Sequence, residues 1–111
     1  MKNEDFNVIL KARLLKITKT LSSKAEEYAD EGDRLHNFKA AAMMDEGETP
    51  ERALKGMWKK HLVSVFDIIN DLDYEVLPTV KYIDEKLGDA INYLILLEAL
   101  ILERINNSDQ N

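Results

Sequence analysis

Apolar residues return every three or four positions through most of this chain, and at ~100° per residue that spacing gathers them onto single helix faces. Phe6, Leu10, Leu14, Ile17, Leu21 and Tyr28 fall in one stripe, which predicts a first helix over about residues 4–31. Leu35, Phe38 and Ala42 line the inner side of a short helix over 34–45. Leu54, Met57, Trp58, His61, Leu62, Val65, Ile68, Ile69 and Leu72 predict a third helix over 50–72. Val80, Ile83, Leu87, Ile91, Leu94, Ile101 and Ile105 predict a fourth over 79–106. With only 4 Gly and 2 Pro among 111 residues, long helices are favoured over turn-rich sheets, so the expected fold is an all-α four-helix bundle in one domain, residues 1–111.

The breaks between helices carry their own signals. Gly32 interrupts the first helix, and Asp33 is placed to cap the second, which should end near Glu46-Gly47. Thr49-Pro50-Glu51 combines a hydroxyl cap, a proline at the first helical position and an acid in the first turn, where the helix dipole favours negative charge. Residues 71–78 connect the last two helices. In the fourth helix Tyr93, Leu96 and Leu100 lie on a different side from the main stripe. Two apolar sides on one helix predict self-association, most simply a two-fold dimer whose interface includes Leu96 or Leu100.

Inventory narrows the chemistry. The chain has no cysteine, which excludes thiol catalysis, disulfides and thiolate zinc sites and makes the cytoplasm the compatible compartment. Its polar, acidic start does not read as a secretory signal, and the most apolar stretch, 91–105, is broken by Asn92, Glu98, Glu103 and Arg104, so no membrane partner is expected. A net charge of −6 argues against a nucleic-acid polymer as partner. A small phosphorylated ligand held through a divalent cation remains compatible. There is no GxGxxG, Walker A, HExxH or GxSxG motif.

Two acidic clusters stand out, residues 26–31 and 84–89. Lys24, Glu27 and Glu31 share one flank of the first helix, three and four residues apart, whereas Glu26 and Asp30 point away. Glu85, Asp89 and Asn92 share one face of the fourth. Carboxylates on facing helices can converge on a hard cation, since Mg²⁺ takes oxygen ligands and completes its shell with water and phosphate, although a solvated acidic face is the commoner role for such residues. Gly88, inside a helix at a cost of about 1 kcal/mol against Ala, points to close packing or close approach. His61 lies in the third stripe, where a hydrogen-bonded core histidine is expected before a catalytic base, and His36 points outward. Lys60 either meets phosphate or pairs with a carboxylate.

The strings Lys24-Ala-Glu-Glu27-Tyr28, Asp33-Arg34-Leu-His-Asn37-Phe38, Thr49-Pro50-Glu51, Lys60-His61 and Glu85-Lys86-Leu-Gly-Asp89-Ala-Ile-Asn92-Tyr93-Leu resemble phage-encoded MazG-like proteins, a branch of the all-α nucleoside triphosphate pyrophosphatases related to the nucleotide modification associated domain. The resemblance covers about residues 20–100. It implies a MazG-like helical bundle that forms a dimer or dimer of dimers in the host cytoplasm, binds Mg²⁺ or Mn²⁺ through acids on two helices, and cleaves a nucleoside triphosphate to monophosphate and pyrophosphate. On that basis Glu27, Glu31, Glu85 and Asp89 are the metal ligands, and Lys24, Asp33, Arg34, Asn37, Lys60 and Asn92 lie near the substrate. The family pattern is ExxE followed by ExxD. Here Glu27 has Glu31 four residues on, or Asp30 three on, and Glu85 has Asp89 four on; both spacings keep side chains on one face, and Asp33 is an alternative ligand to Glu31. A nucleotide-binding protein without turnover and a ligand-free helical interaction module are the alternative functions.

Overall fold

The computed structural model describes residues 1–27 and 32–109, with the side chains of 24–27 and 109 outside the description. Four helices are present and, among the described residues, no strand: α1 (Asn3–Glu27), α2 (His36–Met43), α3 (Pro50–Leu72) and α4 (Val80–Asp109). The all-α, four-helix expectation is met. No helix among the described residues is long and apolar enough to cross a membrane. The chain divides into two compact units, Met1–Arg34 and Leu35–Asn111.

The first unit is essentially α1. Glu4 and Asp5 occupy its first turn, where the unpaired amides favour negative charge, and the Lys2 carbonyl accepts from the amides of Asp5 and Phe6 at 3.1 Å. Its predicted stripe is present, but most of it is open: Phe6, Leu10 and Leu14 are exposed and Ile17 is buried. Tyr28, the last member, lies outside the described residues.

In the second unit α3 is the middle helix and contacts both α2 and α4. Its start forms as the residues dictate: Pro50 opens the helix, and the Thr49 hydroxyl accepts a hydrogen bond from the Arg52 amide at 3.2 Å. The second helix differs from expectation. Asp33 does not cap it; α2 begins at His36 with Leu35 in the cap position and no side-chain cap. Leu35 is buried in the core, so the gain from burying a leucine outweighs a local capping bond of about 1 kcal/mol. Its carbonyl still accepts from the amides of Phe38 and Lys39. α2 ends at Met43, two residues sooner than predicted, and Gly47 turns the chain toward α3 with φ +77.

The α3–α4 connection closes without glycine. Val76 N–H donates to the Asp71 carbonyl and Glu75 N–H to the Leu72 carbonyl, both at 3.0 Å, with Glu75 left-handed at φ 60. This is the Schellman arrangement, with a glutamate where glycine is preferred. Thr79 then accepts from the Tyr82 amide at 3.1 Å and opens α4.

Leu35, Phe38, Leu54 and Leu100 form the buried cluster, with Leu54 fully enclosed and Met57, Trp58, Tyr93, Leu96, Leu97 and Ala99 packed around it. The fourth helix therefore turns its sides the other way from expectation. Leu100 and Leu96 are not at a free surface; they form the inward side, packed on α2 and α3. Of the longer stripe, Val80, Leu94, Ile101 and Ile105 are exposed, and Ile83, Leu87 and Ile91 are half-buried. Aromatic residues decide the orientation: Tyr93 meets Phe38 edge-on at 6.4 Å, a contact the aliphatic stripe has no ring to make.

Candidate functional site

The α3–α4 seam carries the polar residues of greatest interest. The Trp58 indole N–H donates to the Ala90 carbonyl at 3.2 Å, which sets the lengthwise register of the two helices one residue from Asp89. In that register His61, one turn after Trp58, brings its Nδ1 within 3.7 Å of Asp89 Oδ2 and lays its ring against Tyr93, with centroids 4.9 Å apart. The Nδ1–Oδ2 separation is longer than a hydrogen bond. His61 is half-buried, with 17% of its side chain open, rather than enclosed in the core as the third stripe suggested.

Glu85, Asp89 and Asn92 do share a face of α4, one turn apart. Glu85 lies 3.6 Å from Lys86, whose ammonium stands 5.4 Å from the centre of the Tyr82 ring. Asp89 is turned toward His61. Asn92 Oδ1 is shielded from solvent and has no hydrogen-bond partner. A buried amide oxygen left unpaired costs about 1–3 kcal/mol, which makes this position notable beside an open carboxylate.

The remaining sequence-derived residues belong to other elements. Lys60 is exposed on α3 and Asn37 is exposed on α2. Asp33 and Arg34 are half-buried in the connection before α2. Lys24 and Glu27 belong to the last turns of α1, with side chains outside the description, and Glu31 lies outside the described residues altogether. Among the described residues no group of three or more His, Asp or Glu side chains is arranged to hold a metal ion. Glu85 and Asp89 are the carboxylates that this face of α4 offers, each beside a basic side chain, Lys86 and His61. Both keep solvent access, with 58% and 40% of their side chains open.

Away from those seam residues, a depression of about 320 Å³ lies among Lys39, Pro50, Glu51, Leu100, Glu103, Arg104, Asn107 and Ser108. Its charges neutralise one another. Lys39 Nζ is 2.6 Å from Glu103 Oε1, and Arg104 makes a bidentate pair with Glu51 through two 2.7 Å hydrogen bonds. Those bonds from Arg104 hold the Glu51 carboxyl below its ordinary pKa; partial burial opposes the shift, while the residue's own amide, the Arg104 charge and the Thr49 hydroxyl reinforce it. Glu51 thus supplies the anion that a helix N-terminus attracts. Sequence reasoning missed both pairs, because their members stand 64 and 53 positions apart.

The chain matches no protein-family model, no curated protein and no solved structure.

Proposed function

We propose that this protein is a homo-oligomer that binds a nucleoside triphosphate with Mg²⁺ or Mn²⁺ and hydrolyses it to the monophosphate and pyrophosphate. The observation that carries this reading is the juxtaposition on α4 of the open Asp89 carboxylate with the buried, unpartnered Asn92 Oδ1, beside His61 and Tyr93. A hard-cation ligand, an acceptor for a base or sugar donor, and an aromatic face in one seam suit a nucleotide better than they suit a bare packing surface. The sequence resemblance to MazG-like proteins points the same way and implies Glu27 and Glu31 as further ligands.

In this reading Asp89 and Glu85 hold the cation, which supplies charge neutralisation at the phosphates and a more acidic water. Water attacks the α-phosphorus, the bond to the bridging oxygen of the β-phosphate breaks, and pyrophosphate leaves with that electron pair; the water's proton passes to solvent. His61, 3.7 Å from Asp89 and stacked against Tyr93, limits the positions the carboxylate can take. Asn92 Oδ1 accepts from an N–H or O–H of the ligand. The resemblance implies Lys24, Arg34, Asn37 and Lys60 as residues near phosphate or base, and Asp33 as an alternative carboxylate.

Binding without turnover is the second reading, favoured by the Glu85–Asp89 spacing of four where the family pattern has three. A screen of nucleoside triphosphates with Mg²⁺, read by pyrophosphate release and by melting temperature, separates the two. Release that falls at least tenfold in Asp89→Asn supports the hydrolase. Stabilisation by nucleotide and Mg²⁺ with no release supports the binder, and neither effect with any nucleotide rejects both.

A further inference from the structure

The side of α3 turned away from the buried Leu54 and Ile68 is open along its length. At ~100° per residue Arg52, Lys55, Lys59, Leu62, Phe66, Ile69 and Asp73 fall within an arc of about 100°. They follow one another at alternating steps of three and four, the spacing of a seam that a second helix fills. All but the half-buried Leu62 are exposed, Phe66 and Ile69 at 56 and 54%, with Val63 beside them at 56%. Gly56 is exposed on the same side, and a Cβ there would meet nothing within 4 Å. Its place inside a helix therefore has no packing reason among the described residues, and a second helix approaching closely supplies one.

Charge divides this face into halves. Arg52, Lys55, Lys59 and Lys60 occupy the N-terminal half, and Asp67, Asp71 and Asp73 the C-terminal half. All seven are exposed, and among the described residues none has an ion-pair partner; the other ionisable groups of α3, Glu51 and His61, face Arg104 and Asp89. The order opposes the helix dipole, with Arg52 and Lys55 near the start of α3 and Asp71 and Asp73 at its end, where no basic residue stands. An antiparallel copy of α3 offsets that cost. Lys55 then meets Asp73 of the second copy, Leu62 meets Phe66 of the second copy, and a two-fold axis near residue 64 makes each contact twice. Parallel pairing would set Lys55 against Lys55 and Asp73 against Asp73. A basic segment such as α1, which holds four cations and no acid from Phe6 to Ser23, has nothing to offer the N-terminal half.

We propose that the open side of α3, from Arg52 to Asp73, docks antiparallel on the same side of a second copy of this chain. The inference rests on the homo-oligomer of the reading above, supplies its interface and does not depend on nucleotide binding. A single helix pair about 32 Å long is a small interface, so the dimer is expected to form in the micromolar range.

Because the chain has no cysteine, single introduced thiols report on this face. Under mild oxidation Val63→Cys, next to the axis, should link two copies, and Asp73→Cys, about 27 Å from its own mate in this arrangement, should not. In sedimentation of the full chain, Lys55→Glu should weaken the dimer about tenfold, and Lys55→Glu with Asp73→Lys in one chain should restore most of the loss. Both positions are exposed, so circular dichroism should show equal helicity throughout. A single-chain mass at high micromolar concentration overturns the α3 contact and the homo-oligomer alike; a Val63→Cys thiol then shielded from iodoacetamide would assign the face to α1 of the same chain. A two-chain mass that the charge reversals leave unchanged, or a disulfide from Asp73→Cys in place of Val63→Cys, overturns the antiparallel contact and leaves the oligomer standing.

Discussion

Leu100 and Ile101 are neighbours on α4 with opposite environments, and replacing each by alanine tests the orientation of that helix. Alanine is the best helix former, so neither change weakens α4 itself. Leu100 is 3% exposed and touches the buried cluster of Leu35, Phe38 and Leu54. Removing a buried leucine costs about 2–5 kcal/mol from lost transfer energy and the cavity left behind. Because Leu100 also borders the depression by Lys39 and Arg104, water and side chains can partly fill the gap, which places the cost at about 2–3 kcal/mol. For a unit of this size that lowers the melting temperature by roughly 10–20 °C. Ile101, 43% exposed, has less to lose within one chain, about 1 kcal/mol or below. Urea unfolding followed by circular dichroism, at several protein concentrations, reads both. The Leu100→Ala loss should exceed the Ile101→Ala loss at every concentration. Equal losses in dilute solution, or a larger one for Ile101, would refute the inward placement of Leu100.

Three other substitutions probe local features. Thr49→Ala removes the cap on α3 and should cost about 1 kcal/mol in unfolding free energy, with Thr49→Ser retaining most of it. Glu75→Gly relieves a left-handed glutamate and should raise stability by about 0.5–1 kcal/mol, visible as a higher urea midpoint at constant slope. Glu51 has a folded pKa below its unfolded one, so its stabilising contribution is complete above the unfolded carboxylate pKa and fades as pH falls through the folded value. Melting curves from about pH 6 downward should therefore show a shallower acid decline in Glu51→Gln than in the wild type, and identical slopes would remove the Glu51–Arg104 pair from the acid response.

Features fixed by neighbours in the chain were legible in advance. Thr49-Pro50-Glu51 opens α3 because cap, proline and acid act within one turn, and Leu35, Phe38 and Ala42 are buried as their spacing required. Asp33 was misjudged because a local cap competed with burial of Leu35, a preference only the tertiary core reveals. For α4, periodicity identified two apolar sides and could not say which faced inward; the choice depends on Phe38 meeting Tyr93 from another helix. The candidate site divides along the same line. Spacing alone puts Glu85, Asp89 and Asn92 together on α4, whereas the approach of His61 to Asp89 follows from the register that Trp58 sets through Ala90. Glu51–Arg104 and Lys39–Glu103 join distant segments and leave no periodic trace in the sequence.

The central claim is that the Asp89 face of α4 receives Mg²⁺ and a nucleotide together. Isothermal titration of Mg²⁺ into the protein with a non-hydrolysable nucleoside triphosphate tests it in the wild type, Glu85→Gln and Asp89→Asn. The account predicts saturable binding in the wild type, weakened at least tenfold by Asp89→Asn and measurably by Glu85→Gln, with all three proteins equally helical before titration. Indistinguishable isotherms in the three proteins would contradict it.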